Sequence, residues 1–213
     1  MKKAYVFDLD GTLVNSIFDI SDSINYLLAR RGVPGRTYEE YLTYMGFGIG
    51  YTLGRAWPGF LDLPKAEQDA MKEAYVEHNG AHCLDKTLPY DGMAETIREL
   101  AAAGALLGIY TNKPEPLGVK ISRSLFAPGV FEFVLGGKEG ASMKPNPERV
   151  LWELERLKLP PGETVFVGDG GVDIETGKNG GMLTCGVLWG FKGREELTGA
   201  DYLIQEPRQL LAL

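Results

Sequence analysis

The chain has 213 residues, of which 44% are hydrophobic and 24% charged, a composition typical of a globular protein with one sizeable domain or a core with an insertion. Its formal charge of −7 argues against nucleic acid or an anionic membrane as a partner. The charge does not exclude a small phosphorylated metabolite, because local lysines and a bound cation can reverse the field inside a cleft.

The start of the chain and its two cysteines predict a cytoplasmic protein. Residues 1–3 are followed by only a short apolar run before Asp8, which is not the pattern of a signal peptide. No apolar stretch approaches the ~20 residues needed to span a bilayer. Cys83 and Cys185 lie far apart and match no metal-binding or redox spacing, so we interpret them as thiols of a reducing compartment.

Residues 4–13 have the pattern of a buried strand followed by a turn. The apolar run ends on Asp8 and Asp10, and Gly11 and Thr12 then favour a turn. Such a pair of aspartates is also found in ordinary turns. Two carboxylates at a strand end repel each other, however, unless a hard cation such as Mg²⁺ or a proton shared with a reacting group lies between them. The pattern therefore indicates a candidate reaction site.

The next part of the chain is helical in pattern and has no convincing strand. Because strand-type segments resume only after it, we predict a helical cap of residues 15–87, inserted into a core of residues 1–14 and 88–213. Glycine and proline at the ends of the apolar patterns give the expected helix boundaries. The predicted helices cover about residues 17–28, 37–56 and 65–77.

A pair of histidines lies at the exit of this predicted cap. His78 and His82 are four residues apart, with Cys83 beside them, so a metal site is one interpretation. Asn79 and Gly80 lie between the histidines and are expected to break a helix that would align them. We therefore favour solvated residues over a metal site at this position.

After the cap, strand and helix patterns alternate to the end of the chain. This alternation predicts an α/β fold with a doubly wound, Rossmann-like parallel sheet and right-handed crossovers. Such sheets bind ligands at the carboxyl ends of their strands. The predicted strands after the cap cover about residues 106–110, 131–135, 164–168, 183–188 and 201–204.

Polar residues follow these apolar runs. Thr111 and Asn112 follow the second run, Lys144 lies in the loop after the third, and Asp169 follows the fourth. Each of these residues is also typical of turns or solvated surfaces. Together with Asp8 they match what metal-assisted phosphoryl transfer needs, namely a nucleophile, hydrogen-bond donors, a fixed cation and carboxylates for a metal.

Residues 4–13 resemble the first motif of the haloacid dehalogenase-like superfamily, and the other three motifs follow in order, so the resemblance covers the whole core. It implies that Asp8 is the nucleophile that accepts the phosphoryl group. It also implies that Thr111 and Asn112 hold that group, and that Lys144 screens the charge between nucleophile and phosphate. The resemblance further implies that Asp10 is the second acid that phosphatases and phosphomutases carry and dehalogenases lack, which protonates the leaving oxygen and then activates water.

The fourth motif, residues 168–173, implies a Mg²⁺ site. The resemblance implies that Asp8, Asp169 and the backbone carbonyl of Asp10 bind the metal, and that Asp173 bonds to the site through a water or by contact with a group around the metal ligands. A dinucleotide fingerprint is excluded, because aspartate stands where its third glycine would be. One departure is Gly170, where phosphoglycolate phosphatase-like relatives usually have serine, so one hydrogen bond around the metal carboxylates is missing.

The chain as a whole is most similar to phosphoglycolate phosphatase-like members. The resemblance thus implies a Mg²⁺-dependent phosphatase that hydrolyses a small phosphorylated metabolite through an aspartyl-phosphate. One alternative is a β-phosphoglucomutase-like enzyme, which shares all four motifs and differs in the contacts made by its cap. Another is a catalytically silent member that only binds a metabolite, although a binding protein has no need of a nucleophile.

Overall fold

The computed structural model describes residues 3–213 as a six-stranded sheet flanked by helices, with a helical insertion near the start of the chain. The strands are β1 (Ala4–Phe7), β2 (Val14–Asn15), β3 (Leu88–Pro89), β4 (Leu106–Pro114), β5 (Phe133–Gly137), β6 (Thr164–Gly168), β7 (Leu183–Val187) and β8 (Tyr202–Ile204). The helices are α1 (Ile17–Arg30), α2 (Tyr38–Tyr44), α3 (Ile49–Ala56), α4 (Lys65–His82), α5 (Met93–Ala102), α6 (Glu115–Leu125), α7 (Glu148–Arg156) and α8 (Gly171–Asn179). Across residues 3–213, no helix combines the length and the apolar character that crossing a membrane requires.

The six strands of the main sheet are all parallel and have the order β5-β4-β1-β6-β7-β8. The chain moves from β1 to one edge of the sheet through β4 and β5, and then to the other edge through β6, β7 and β8. The strand order therefore reverses between β1 and β6, where open α/β sheets form their ligand crevice. This topology confirms the predicted doubly wound α/β fold.

Both faces of the sheet are buried, because side chains alternate across each strand. Tyr5 and Phe7 of β1 belong to an apolar cluster that includes Ile97 of α5. Val6 belongs to a second cluster, which contains Val150 of α7. Burial on both faces makes the strands continuous apolar runs, and this is why they could be found in the sequence.

The insertion has an apolar cluster of its own. Helices α1–α4 contribute nearly all its buried members, and Leu117 of α6 joins them from the core. The chain crosses between core and insertion through β2 and β3, which pair with each other in an antiparallel ribbon. The predicted helical insertion after the first strand is therefore confirmed.

The single helix predicted over residues 37–56 is wrong, since the segment forms α2 and α3 separated by a short loop. Gly46 and Gly48 in this loop have φ angles of 115° and 82°, which side-chain-bearing residues rarely adopt. These angles end the helical path, and Phe47 between them is exposed rather than part of a buried helix face.

The predicted break at Asn79 and Gly80 is also wrong, because α4 continues to His82. The Asn79 side chain is fully buried and donates hydrogen bonds to the Asp19 carbonyl and to Ser23 Oγ of α1. These tertiary contacts outweigh the turn preference of the Asn-Gly pair. The rings of His78 and His82 consequently lie on one helix face, with centroids 4.6 Å apart.

Asp19 of α1 fixes the segment by which the chain returns from the insertion to the core. Its buried carboxylate accepts hydrogen bonds from the backbone N–H groups of Lys86, at 3.0 Å, and Thr87, at 2.9 Å. The Thr87 hydroxyl donates a further bond of 2.7 Å. One carboxylate thus satisfies three donors next to the ribbon that joins the two parts.

Replacing Asp19 with alanine is expected to lower the free energy of unfolding by roughly 2–4 kcal/mol, because it leaves buried donors without an acceptor. Denaturant titration would measure this loss. Asp22→Ala is the matched control, since Asp22 lies on the same helix but its carboxylate pairs at the surface with Lys86. We expect the control to lose less than about 1 kcal/mol. Equal losses in the two variants would contradict the structural role of Asp19.

Candidate active site

Three predicted metal ligands meet where the strand order reverses. Asp8 directly follows β1, Asp169 directly follows β6, and Asp173 lies in the first turn of α8. All three are buried, and one carboxylate oxygen of each lies within 4.8 Å of those of the other two. The adjacent carboxyl ends of β1 and β6 produce this cluster.

A tight turn after β1 lies directly against Asp169. Gly11 has a φ of 86°, and a Cβ atom placed on it would lie 2.5 Å from Asp169 Oδ2. Only glycine fits there, both for its backbone conformation and for this close approach. Asp169 accepts hydrogen bonds from Thr12 Oγ1, at 3.3 Å, and from the Phe191 N–H, at 2.8 Å. These contacts fix the orientation of its carboxylate.

Lys144 lies among the carboxylates. Its Nζ is 2.8 Å from Asp8 Oδ1 and 2.6 Å from Asp173 Oδ1, and its side chain is 1% exposed. Burial alone would lower the pKa of this ammonium, but the charges of Asp173 and Asp8 raise the pKa above its ordinary range. Lys144 therefore keeps its positive charge beside the predicted nucleophile.

The ionised forms of the buried carboxylates are disfavoured even with Lys144 beside them. Burial raises the pKa of Asp8 to about 6, against the lowering effect of Lys144. Burial, together with repulsion from Asp173 and Asp8, raises the pKa of Asp169 to about 8. Asp8 Oδ1 is buried and accepts no well-aligned hydrogen bond despite its nearness to the ammonium. Clustered buried carboxylates, one of whose oxygens lacks an aligned hydrogen bond, are what a hard divalent cation binds, so these residues fit a metal such as Mg²⁺.

Gly170, which departs from the usual fourth motif, still supports Asp173 through its backbone. Its N–H donates a 3.0 Å hydrogen bond to Asp173 Oδ2. A Cβ atom placed on Gly170 would have its nearest neighbours 3.6 Å or more away, so a larger residue has room. The missing serine hydroxyl therefore removes one donor and leaves another in place.

Asp10 has partners outside the carboxylate cluster. Ser16 Oγ donates a 2.5 Å hydrogen bond to Asp10 Oδ1, and Lys113 Nζ lies 3.1 and 3.3 Å from the two carboxylate oxygens. The Asp10 side chain is 16% exposed, and that of Lys113 is 2% exposed. Asp10 is thus held by a lysine and a serine at the wall of the cavity that Asp8 also lines.

Lys113 and Ser16 were not identified from the sequence. The pairing of β4 with β5 shifts register between Tyr110 and Pro114, and Lys113 lies within this irregular stretch. The signal that could have revealed it is the run of three polar residues, Thr111 to Lys113, in a strand that is otherwise apolar. A strand buried on both faces carries such a run only where it meets a polar site.

The predicted phosphoryl-binding residues occupy two different environments. Thr111 is buried, and its hydroxyl accepts a 3.3 Å hydrogen bond from the Lys113 N–H, which leaves its own hydrogen free to donate. Both hydrogens of the Asn112 amide are used, by the Gly46 carbonyl of the insertion and the Lys144 carbonyl. Asn112 Oδ1 accepts from the Lys144 N–H at 2.9 Å. The Asn112 side chain therefore positions Lys144 and leaves substrate contacts to its backbone.

A small cavity of about 60 Å³ lies between the strand ends and the insertion. Every site residue named from the sequence lines it, as do Met45, Thr52 and Tyr75 of the insertion. The same cavity thus contains a buried carboxylate beside a fixed ammonium, a second acid and a hydroxyl donor. This arrangement can transfer a phosphoryl group from a small ester to Asp8.

The comparisons with known proteins agree with this chemistry. Residues 5–187 match the family model described as haloacid dehalogenase-like hydrolase. The phosphoglycolate phosphatase of Aquifex aeolicus is 33% identical, over 99% of this chain and 96% of its own length. Pyrophosphatase PpaX of Listeria monocytogenes serotype 4a is 34% identical, over 98% and 94%. The crystal structure of a predicted phosphoglycolate phosphatase from Haemophilus somnus 129PT has a TM-score of 0.90 and 27% identity, with coverage of 99% and 97%.

Proposed function

Because the chain belongs to the haloacid dehalogenase-like hydrolases and is a phosphatase of small phosphorylated substrates, we propose that it hydrolyses a phosphoglycolate-type metabolite. The proposed reaction depends on Mg²⁺ and passes through an aspartyl-phosphate on Asp8. The observation that carries the proposal is the environment of Asp8. Its carboxylate is buried, one of its oxygens lacks an aligned hydrogen bond, and the Lys144 ammonium lies 2.8 Å away. A second acid, Asp10, lines the same cavity.

In the first half of the reaction, a carboxylate oxygen of Asp8 attacks phosphorus. A bond forms between that oxygen and phosphorus, and the bond between phosphorus and the ester oxygen breaks. Asp10 gives its proton to the departing oxygen, so the leaving group departs as an alcohol. Lys144 and the Thr111 hydroxyl offset the negative charge that the phosphoryl oxygens bring into the cavity.

In the second half, water replaces the alcohol. Asp10, now ionised, takes a proton from the water as its oxygen attacks phosphorus. The bond between phosphorus and the Asp8 oxygen breaks, which releases inorganic phosphate and restores the carboxylate of Asp8. Asp10 is then protonated again and ready for the next ester.

The buried carboxylates support a divalent metal in this scheme. Asp8, Asp169 and the backbone carbonyl of Asp10 would hold Mg²⁺, and Asp173 would support the site from its bonds to Lys144 and the Gly170 N–H. A bound Mg²⁺ supplies positive charge that allows a phosphate dianion to approach the carboxylates. Hard oxygen ligands on neighbouring strand ends favour Mg²⁺ over softer metals.

The helical insertion is proposed to act as a lid. Residues 15–87 would form this cap, over a core of residues 1–14 and 88–213. The ribbon of β2 and β3 lies at both crossings and is the natural hinge. The Gly46 carbonyl accepts a hydrogen bond from Asn112 Nδ2, so the cap contacts the end of β4, where the phosphoryl group would bind. Opening of the cap would admit substrate, and its closure would exclude bulk water from the cavity.

Chelation should abolish activity, because the proposed metal offsets the charge of the carboxylates and the phosphate. After EDTA treatment and removal of the chelate, we expect phosphate release from phosphoglycolate to fall to background and Mg²⁺ to restore it. Unchanged circular dichroism after EDTA would show that the protein remains folded. Full activity after thorough chelation would reject the proposed metal requirement. Failure to hydrolyse any of a panel of small phosphate esters with Mg²⁺ would reject the phosphatase.

A further inference from the structure

The loop after β7 crosses from the core to the insertion at the edge of the cavity. Trp189 Nε1 donates a 3.1 Å hydrogen bond to the Thr12 carbonyl, and the Phe191 N–H donates to Asp169. The Phe191 side chain packs against the apolar cluster of the insertion. Both ends of this short segment are thus fixed, and they hold the next residue, Lys192, at the wall of the cavity.

Lys192 reaches from this loop to the end of a helix in the insertion. Its side chain is 11% exposed, and Nζ donates a 3.0 Å hydrogen bond to the Leu42 carbonyl in the last turn of α2. The Thr43 carbonyl is 3.5 Å away. Cations are favoured at helix carboxyl ends, where carbonyl groups lack partners within the helix. These carbonyls therefore position the ammonium and carry no net charge that would neutralise it.

Lys192 differs in charge balance from the other lysines at the same cavity. Three lysines line the cavity in the part of the chain that the structure describes. Lys113 pairs with Asp10 at 3.1 Å. Lys144 pairs with two carboxylates. Lys192 has neutral carbonyls as its close partners, and its ion pair with Glu196, a half-exposed residue that also lines the cavity, is long at 4.0 Å. Lys192 is thus the lysine with positive charge to offer a ligand.

We propose that Lys192 binds a second anionic group on the substrate, and so selects small phosphate esters whose leaving group carries a carboxylate or another phosphate. This inference rests on the proposed phosphatase function. An ammonium has three donors, so Lys192 can keep its bond to Leu42 and still contact an anion. Lys192 lines the same cavity as Asp8, so a short leaving group, of two carbons or a phosphoanhydride, can direct its second anion to Lys192.

The matched substrates phosphoglycolate and ethyl phosphate separate this role from general catalysis, because they differ in the carboxylate and are close in size. In Lys192→Gln the charge is removed while an N–H donor for the α2 carbonyls is kept. The ratio of kcat/KM for phosphoglycolate to kcat/KM for ethyl phosphate is expected to fall roughly ten- to hundredfold, the effect of losing one charged hydrogen bond. Lys192→Arg should keep most of the ratio. Pyrophosphate, as a third substrate, tests whether a second phosphate is bound in the same way.

Lys120→Gln is the matched control. Lys120 of α6 also joins core to insertion through an ammonium–carbonyl hydrogen bond, to Gly80 at 2.5 Å, but it is exposed and does not line the cavity. This control should keep the wild-type ratio. Equal losses on both substrates in Lys192→Gln would mean that Lys192 only fastens the cap, and would overturn the inference alone. A wild-type protein that hydrolyses none of the three substrates would overturn the proposed function and the inference together.

Discussion

Asp8→Asn should fold normally and lose phosphoglycolate turnover by roughly 10⁴- to 10⁶-fold, the usual consequence of removing a catalytic nucleophile. An amide has nearly the shape of a carboxylate but does not attack phosphorus. The change also removes one of three buried carboxylates that repel one another, so the free energy of unfolding is not expected to fall. Phosphate release at saturating substrate measures the first effect, and thermal unfolding measures the second.

The control for this variant is Asp62→Asn, an exposed aspartate of the insertion that does not line the cavity. It should retain wild-type turnover. Comparable activity in Asp8→Asn and the control would remove Asp8 from the nucleophile role. A variant that is both inactive and unfolded would be repeated as Asp8→Ser, which also lacks the carboxylate and is smaller.

Asp10→Ala should have the second largest effect, and that effect should depend on the leaving group. Phosphoglycolate needs a proton on its departing oxygen, so we expect its turnover to fall roughly 10²- to 10⁴-fold. An aryl phosphate such as p-nitrophenyl phosphate has a leaving group that departs without a proton, so the rate of its first step should fall much less. Stopped-flow release of p-nitrophenol, compared with single-turnover hydrolysis of phosphoglycolate, measures the difference.

Equal losses on the two esters would remove Asp10 from the general-acid role. The matched control is Ser16→Ala, which removes a hydrogen bond to Asp10 and leaves its carboxylate paired with Lys113. We expect the control to lose far less than Asp10→Ala and to show the same leaving-group preference in weaker form.

The parallel sheet could be predicted because its strands are buried on both faces and therefore appear as apolar runs. The residues after β1 and β6 could be predicted as a cluster because the carboxyl ends of parallel strands lie at one edge. Asp8, Asp169 and Asp173 do lie together there. The carboxyl ends of parallel strands meet at one edge whatever the strand order, and the alternation of strands and helices predicts a parallel sheet.

Features that depend on tertiary contacts could not be predicted in this way. Asn79 remains helical because α1 supplies acceptors for its amide, and nothing near it in the sequence signals those acceptors. The polar run from Thr111 to Lys113 marks a polar site, but nothing near it in the sequence shows that Lys113 pairs with Asp10. Lys192 reaches a helix end about 150 positions earlier in the chain, a contact that depends on how the insertion packs on the core.

The most direct test of the aspartyl-phosphate mechanism is a search for the phosphorylated enzyme. In Asp10→Asn, p-nitrophenyl phosphate and Mg²⁺ should still phosphorylate Asp8, because this leaving group needs no proton, while loss of the general base slows hydrolysis. Intact-protein mass spectrometry after an acid quench should then show one added phosphoryl group, located by peptide mapping. In the wild type this phosphoryl group should be hydrolysed quickly. A phosphoryl group that persists until a sugar phosphate is added would favour the phosphomutase. We expect the phosphoryl group on the Asp8 peptide, and its absence at all times or its presence on another residue would contradict the mechanism.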